Sequence, residues 1–202
     1  MPPRFTLWAI WPLLLLATMG GPAAVCAQLA TPAWQAFQRQ ANEMGVTFRR
    51  AKGYTPTAPK ENMDMSYDWA MTSAEDEVEV RYALRPSASL YRKYEEAQAD
   101  PNASMVRPEP VLRSAVVTTL WNTGAPSVNQ QGMVPEQASA EAAQEEFGGD
   151  YFASAFYPTN DRFGKGYEHC LMYAVIKDGP GAGAVYVFIL GQDQATITKH
   201  WE

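Results

Sequence analysis

The sequence predicts an α+β fold, a mainly antiparallel sheet with helices on both faces of its centre (a layered α/β/α sandwich). Three observations predict it. Met63 to Leu84 contains two runs that alternate apolar and polar residues, joined by a short polar turn, which is a hairpin pattern. Gly166 to Ile176 and Ala184 to Leu190 are apolar on both faces, so they belong at the centre of a sheet with cover above and below. Around these runs, apolar residues recur at helical spacing in several segments.

Taken in order, residues 1–27 read as a signal peptide. Arg4 gives a short positive region, Leu7 to Ala17 an apolar run, and Val25-Cys26-Ala27 a small-x-small cleavage pattern. The run is shorter than the roughly 20 apolar residues a membrane span needs. A lipidated Cys26 and an uncleaved anchor are the alternatives; Ala24-Val25 matches the lipoprotein pattern poorly. Residues 28–202 then form a single α+β domain in the periplasm or outside the cell, with no membrane span once the leader is gone.

Ala33 to Met44 carries Trp34, Phe37 and Ala41 at helical spacing and stops at Gly45. Val46 to Arg50 reads as extended, and Gly53 to Asn62, with Pro56 and Pro59, as a loop. In the hairpin, Met63, Met65, Tyr67, Trp69 and Met71 share one face, with Asp64, Ser66, Asp68 and Ala70 on the other. After a turn at 73–76, Val78, Val80, Tyr82 and Leu84 alternate with Glu77, Glu79, Arg81 and Ala83. This places the hairpin toward a sheet edge with one face in water. Ser87 caps a helix to about Ala99. A second helix spans about Glu109 to Trp121, although Val116-Val117-Thr118-Thr119 also suits a strand. Ala125 to Val134 is loop, and Pro135 opens a helix over Glu136 to Phe147. Lys177 to Gly183 is the loop of the C-terminal hairpin.

The chain has 202 residues and a formal charge of -6. That acidity, with no Lys/Arg stripe, argues against nucleic acid and anionic membrane surfaces. Its two cysteines include Cys26 in the leader, so Cys170 has no internal disulfide partner after cleavage. Cys170 in a doubly apolar strand reads as an inert small hydrophobe; a Cys170–His200 nucleophile pair is the sharper reading. His169, beside Glu168, reads as a histidine bonded to a carbonyl or carboxylate, or as a ligand at a sheet end. Asp64 and Asp68 share a face near Glu77 and Glu79. Such a cluster is either a solvated face, a calcium-type site or a general acid–base pair. Glu141, Glu145, Glu146 and Asp150 make an acidic helix end, and Asn102-Ala103-Ser104 a glycosylation sequon or a chance tripeptide. Tyr151, Phe152, Phe156, Tyr157 and Phe163 form an aromatic segment, either core or the rim of a ligand groove. Phosphate-loop, nucleophile-elbow, His-Glu-x-x-His and Cys-x-x-Cys patterns are missing, and no metal or cofactor is expected.

Phe163 to Cys170, Ile176-Lys177-Asp178, Ala184 to Phe188 and Glu79 to Pro86 resemble segments of uncharacterised exported bacterial proteins. The order of elements also resembles the PsbP-like and DcrB-like fold. Those resemblances imply an antiparallel sheet between helices and an accessory or binding role; they carry over no catalytic residues.

The expected function is therefore an exported, non-catalytic binding or accessory protein, taking an envelope protein partner or a small ligand. Its expected surface is the wet hairpin face (Asp64, Asp68, Glu77, Glu79) with the rim from Phe163 to His169. The alternatives are a hydrolase using Asp64 or Asp68 with His169, and an inhibitor or immunity-type partner. Cleavage predicts that protein recovered from the envelope begins at Gln28; Edman sequencing or intact mass tests this, and a retained Met1 refutes it.

Overall fold

The computed structural model describes residues 32–48, 53–75 and 77–201. The leader and Cys26, the end of the 46–50 segment and part of the 73–76 turn lie outside the described residues.

Seven strands make one sheet in the order β1-β2-β3-β7-β6-β5-β4, every neighbouring pair antiparallel. They are β1 (Tyr54–Thr57), β2 (Trp69–Ser73), β3 (Glu79–Pro86), β4 (Glu136–Gln137), β5 (Tyr151–Pro158), β6 (His169–Lys177) and β7 (Gly183–Gly191). The helices are α1 (Pro32–Glu43), α2 (Ala88–Ala99), α3 (Pro108–Thr123), α4 (Pro126–Gln130), α5 (Ala140–Phe147), α6 (Asp161–Gly164) and α7 (Gln194–Trp201). The α+β layered architecture follows.

The central position of the C-terminal hairpin is explained by its composition. Along β7 nearly every residue on both faces is buried, which only a middle strand allows. Gly183 sits at φ 147 against the Arg85 carbonyl, where a Cβ would collide with backbone, so glycine is required at this entry to β7.

The sheet's first face packs on α3, α4 and α6. Val116 and Leu120 of α3, Val128 of α4 and Phe163 of α6 meet Cys170, Met172, Ala174 and Ile176 of β6 and Tyr186 and Phe188 of β7. Pro108 at the start of α3 costs nothing because the first amides of a helix lack partners anyway. The second face is covered unevenly. Phe37 and Ala41 of α1 pack on Trp69, Met71, Leu84 and Val185, and Ile197 of α7 packs on Val78, Val80 and Ile189. On the same face Phe156, Leu171, Tyr173 and Val187 are only half-buried.

Several expectations need correction. The 63–71 run forms a strand only from Trp69; Asn62 accepts hydrogen bonds from the Asp64 and Met65 amides and turns the chain there, leaving Met63 91% exposed. The Glu79–Arg81–Ala83 face is not wet, because β3 lies between β2 and β7 and that face meets the first-face core. The loop at 53–62 contains edge strand β1, where Pro56 is tolerated. The Ala125–Val134 loop contains α4. The helix expected from Glu136 begins at Ala140: Ser139 caps it, accepting from the Ala142 amide, while Glu136 and Gln137 pair with β5. It ends at Gly148 in the left-handed conformation, φ 65. Tyr151 to Pro158 is a full strand. Ser87 precedes α2 as expected, but its hydroxyl donates to the Gly179 carbonyl instead of capping the helix. The Cys170 side of β6 is fully buried, whereas the Tyr173 side is half-covered.

Candidate functional site

The most polar buried feature lies on the first face where β3 meets α6. Arg81 is 0% exposed and Glu79 2%. Arg81 Nε donates to Glu79 Oε1 at 2.6 Å and Nη1 donates to the Phe163 carbonyl. The guanidinium carbon lies 4.9 Å from the Tyr67 ring centroid and 5.0 Å from that of Phe163. Arg81 Nη2 has no hydrogen-bond partner among the described residues. Two residues apart on one strand point the same way, so Glu79 and Arg81 neutralise each other inside the core. Lys60 Nζ adds a partner for Glu79 Oε2 at 3.9 Å.

The segment from Lys60 to Tyr67 lies against this pair and is tied to α6. Asn62 Nδ2 donates to the Arg162 carbonyl at 3.0 Å, Lys165 Nζ donates to the Glu61 carbonyl, and Asp64 Oδ1 pairs with Arg162 Nη2 at 2.9 Å. The α6 turn itself is fixed by Asn160, whose side chain accepts from the Phe163 amide at 2.7 Å. Asp64, Glu79 and Phe163 therefore share one cluster, but as internal ties. Phe163 is 0% exposed and stacks edge-on with Phe188.

The other expected site residues lie elsewhere. Asp68 Oδ2 accepts from the Leu84 amide at 2.7 Å and pairs with Arg85 at 3.3 Å. Glu77 sits past the β2–β3 turn, where His200 at 3.2 Å and Lys199 at 3.5 Å reach it from α7 and hold its carboxyl below the usual range. His169 donates from Nδ1 to the Gln192 carbonyl at 2.9 Å and stacks on Phe156, 5.4 Å between centroids and 7° between planes. The carbonyl can only accept, so Nδ1 carries the proton of this bond.

The hydrolase constellation does not assemble. Asp68 bonds to Leu84, opposite Val185, while His169 lies opposite Gly191. Six residues of strand separate those points, about 20 Å. Asp64 packs with α6 on the first face, and the His169 ring lies with Phe156 on the second. The Cys170–His200 pair does not form either. Cys170 is buried on the first face beside Tyr157, and burial pushes its thiol up to about 12. His200 belongs to α7 on the second. The Tyr157 hydroxyl shares a 2.7 Å hydrogen bond with Thr123.

The aromatic segment divides between core and surface. Tyr157 is in the first-face core. Phe152 stacks between Phe147 at 4.4 Å and Tyr173 at 5.6 Å on the second face, with Phe147 46% exposed. With Phe156–His169 and half-buried Leu171, these rings make an aromatic strip. At its Phe147 end is α5, whose Glu141, Glu145 and Glu146 are exposed. Asp150, beyond α5, accepts from the Asp178 amide at 2.8 Å.

No family model, curated protein or solved structure matches the chain.

Two measurements test these assignments. Glu79→Gln leaves an uncompensated buried guanidinium, so urea unfolding should show a loss of about 3–5 kcal/mol, with a smaller loss in E79Q/R81M. An E79Q loss below about 1 kcal/mol refutes the buried-pair role. Alkaline stability is the second. Folding raises the Cys170 thiol from 9.0 to about 12 and the Tyr82 phenol from 10.0 to about 12. The unfolded chain therefore loses these protons first, and stability is full below about pH 9 and falls as pH rises toward about 12. Melting curves across that range should show the fall, shallower in Cys170→Ala; a flat Tm refutes it.

Proposed function

We propose that this chain is an exported, non-catalytic binding or accessory protein whose partner is an envelope protein. One observation carries the reading: the aromatic strip of Phe147, Phe152, Tyr173, Phe156, His169 and Leu171 on the half-covered second face. Apolar surface left half-buried still meets water, and binding relieves that cost. The acidic α5 borders it, so the matching partner presents an apolar segment with a basic flank, and the charges steer the approach. On this reading the binding surface lies on the opposite side of the sheet from Glu79 and Phe163, which are buried. The leader pattern in residues 1–27 and the resemblance to exported bacterial proteins support the same compartment.

The test is co-purification of tagged protein from its native envelope with quantitative mass spectrometry. The reading expects a stoichiometric partner that is lost in Leu171→Glu and weakened in E145K/E146K, but retained in Thr118→Glu on the exposed side of α3. Circular dichroism checks that L171E is folded; E145K/E146K changes only exposed residues. Equal recovery of the partner by wild type and both strip variants refutes the surface, and absence of any stoichiometric partner refutes the accessory role.

A further inference from the structure

We infer that Glu75, Glu77 and His200 form a binding site for a zinc-class divalent cation, which pins the last helix to the β2–β3 turn. The donor set comes from two segments far apart in sequence: two carboxylates from the turn and one imidazole from α7. One ligand atom from each lies within 4.8 Å of the other two. His200 Nε2 and Glu77 Oε2 are 3.2 Å apart. Two ligands of a tetrahedral zinc at about 2.1 Å stand roughly 3.4 Å apart, so this pair already has the spacing. Glu75 is exposed on the turn, so rotation of its side chain closes the remaining gap.

The donor types choose the metal. Calcium and magnesium take oxygen ligands almost exclusively, whereas an imidazole with two carboxylates suits zinc and its neighbours. Three protein ligands leave one tetrahedral position for water. His200 Nε2 now donates its proton to Glu77, since the carboxylate can only accept. The cation replaces that proton, and it displaces Lys199 Nζ, which lies 3.5 Å from the same Glu77 oxygen. The imidazole is already steadied edge-on by the Tyr54 ring, centroids 6.3 Å apart. The carboxylate cluster expected from sequence (Asp64, Asp68, Glu77, Glu79) is dispersed; only Glu77 enters this different set.

Zinc titration of the chelator-stripped full chain, by calorimetry and thermal melting, tests the site. The expected result is one zinc per chain and a raised Tm, because a ligand that binds only the native state stabilises it, with no such shift from calcium. Glu75→Gln and His200→Gln should each weaken zinc by about tenfold or more, and His169→Gln, changing the only other histidine, should leave binding intact. E75Q alters one exposed turn residue, so its reading is free of folding effects. No heat and no Tm shift with zinc overturns the site. Equal affinity in wild type, E75Q and H200Q, or loss in H169Q alone, also overturns it. His169 belongs to the aromatic strip, but zinc titration of the isolated chain involves no partner, so these outcomes stand apart from the proposed binding role.

Discussion

A guanidinium fully enclosed in a sheet face constrains everything around it. Arg81 is a fully buried charge, so the fold must supply counter-charge and acceptors or forfeit several kcal/mol. Glu79, two residues earlier on the same strand, supplies the charge. The Phe163 carbonyl supplies an acceptor, and the Tyr67 and Phe163 rings pack against the guanidinium at 4.9 and 5.0 Å. Meeting these needs fixes three otherwise separate pieces of chain: strand β3, the segment leading into β2, and the α6 turn. The ties of Asn62 and Asp64 to α6, and of Lys165 to the Glu61 carbonyl, extend the same junction outward to the surface. The stretch from Asn160 to Lys165 thus holds position without a long helix of its own.

The same pair explains where sequence reading failed. Glu77, Glu79 and Arg81 alternate with apolar residues and look like a solvated face. Polarity by letter does not register that opposite charges at i and i+2 cancel and can go inside together. The C-terminal hairpin was legible because runs such as Met172 to Ile176 and Val185 to Leu190 have no polar residue to place in water. Helices α1 and α3 were legible from Phe37, Ala41, Val116 and Leu120 at helical spacing, and tertiary burial overrode the strand preference of Val116 to Thr119. Strand β5 was obscured because Tyr151 to Pro158 is apolar without the polar alternation of a half-wet strand. Strand β1 was obscured by Pro56, which only an edge position tolerates. The start of α5 had its signal in Ser139, three residues before the amide it caps. The Glu75–Glu77–His200 grouping had no sequence signal, because it depends on where α7 lands.

The two faces of β5 and β6 solve the burial problem differently. Toward α3 they mix the small side chains of Ala153, Ala155, Cys170 and Ala174 with Tyr151, Tyr157, Met172 and Ile176, and helices cover them. Toward the other side they present Phe152, Phe156, Leu171, Tyr173 and Val175. These bulky residues cover one another: Phe147 on Phe152, Phe152 on Tyr173, Phe156 against His169. Ring-on-ring stacking removes part of the apolar area from water without a covering helix, and it gains a further 0.5–1.5 kcal/mol per pair, roughly, from aromatic geometry. Phe147 remains exposed, and Phe156, Leu171, Tyr173, Val175 and Val187 remain half-buried. Such a surface is stable enough to persist uncovered and apolar enough to gain from being covered. A helix fused over it would give the chain more stability but would leave no face for anything else. The sheet margins show a different treatment. Strand β4 is two residues long and both are exposed, and β1 carries a proline, so neither edge offers a long ladder for strand addition. On the proposed reading, a partner therefore meets the side chains of the half-covered face, where recognition depends on shape and ring chemistry instead of on unpaired amides.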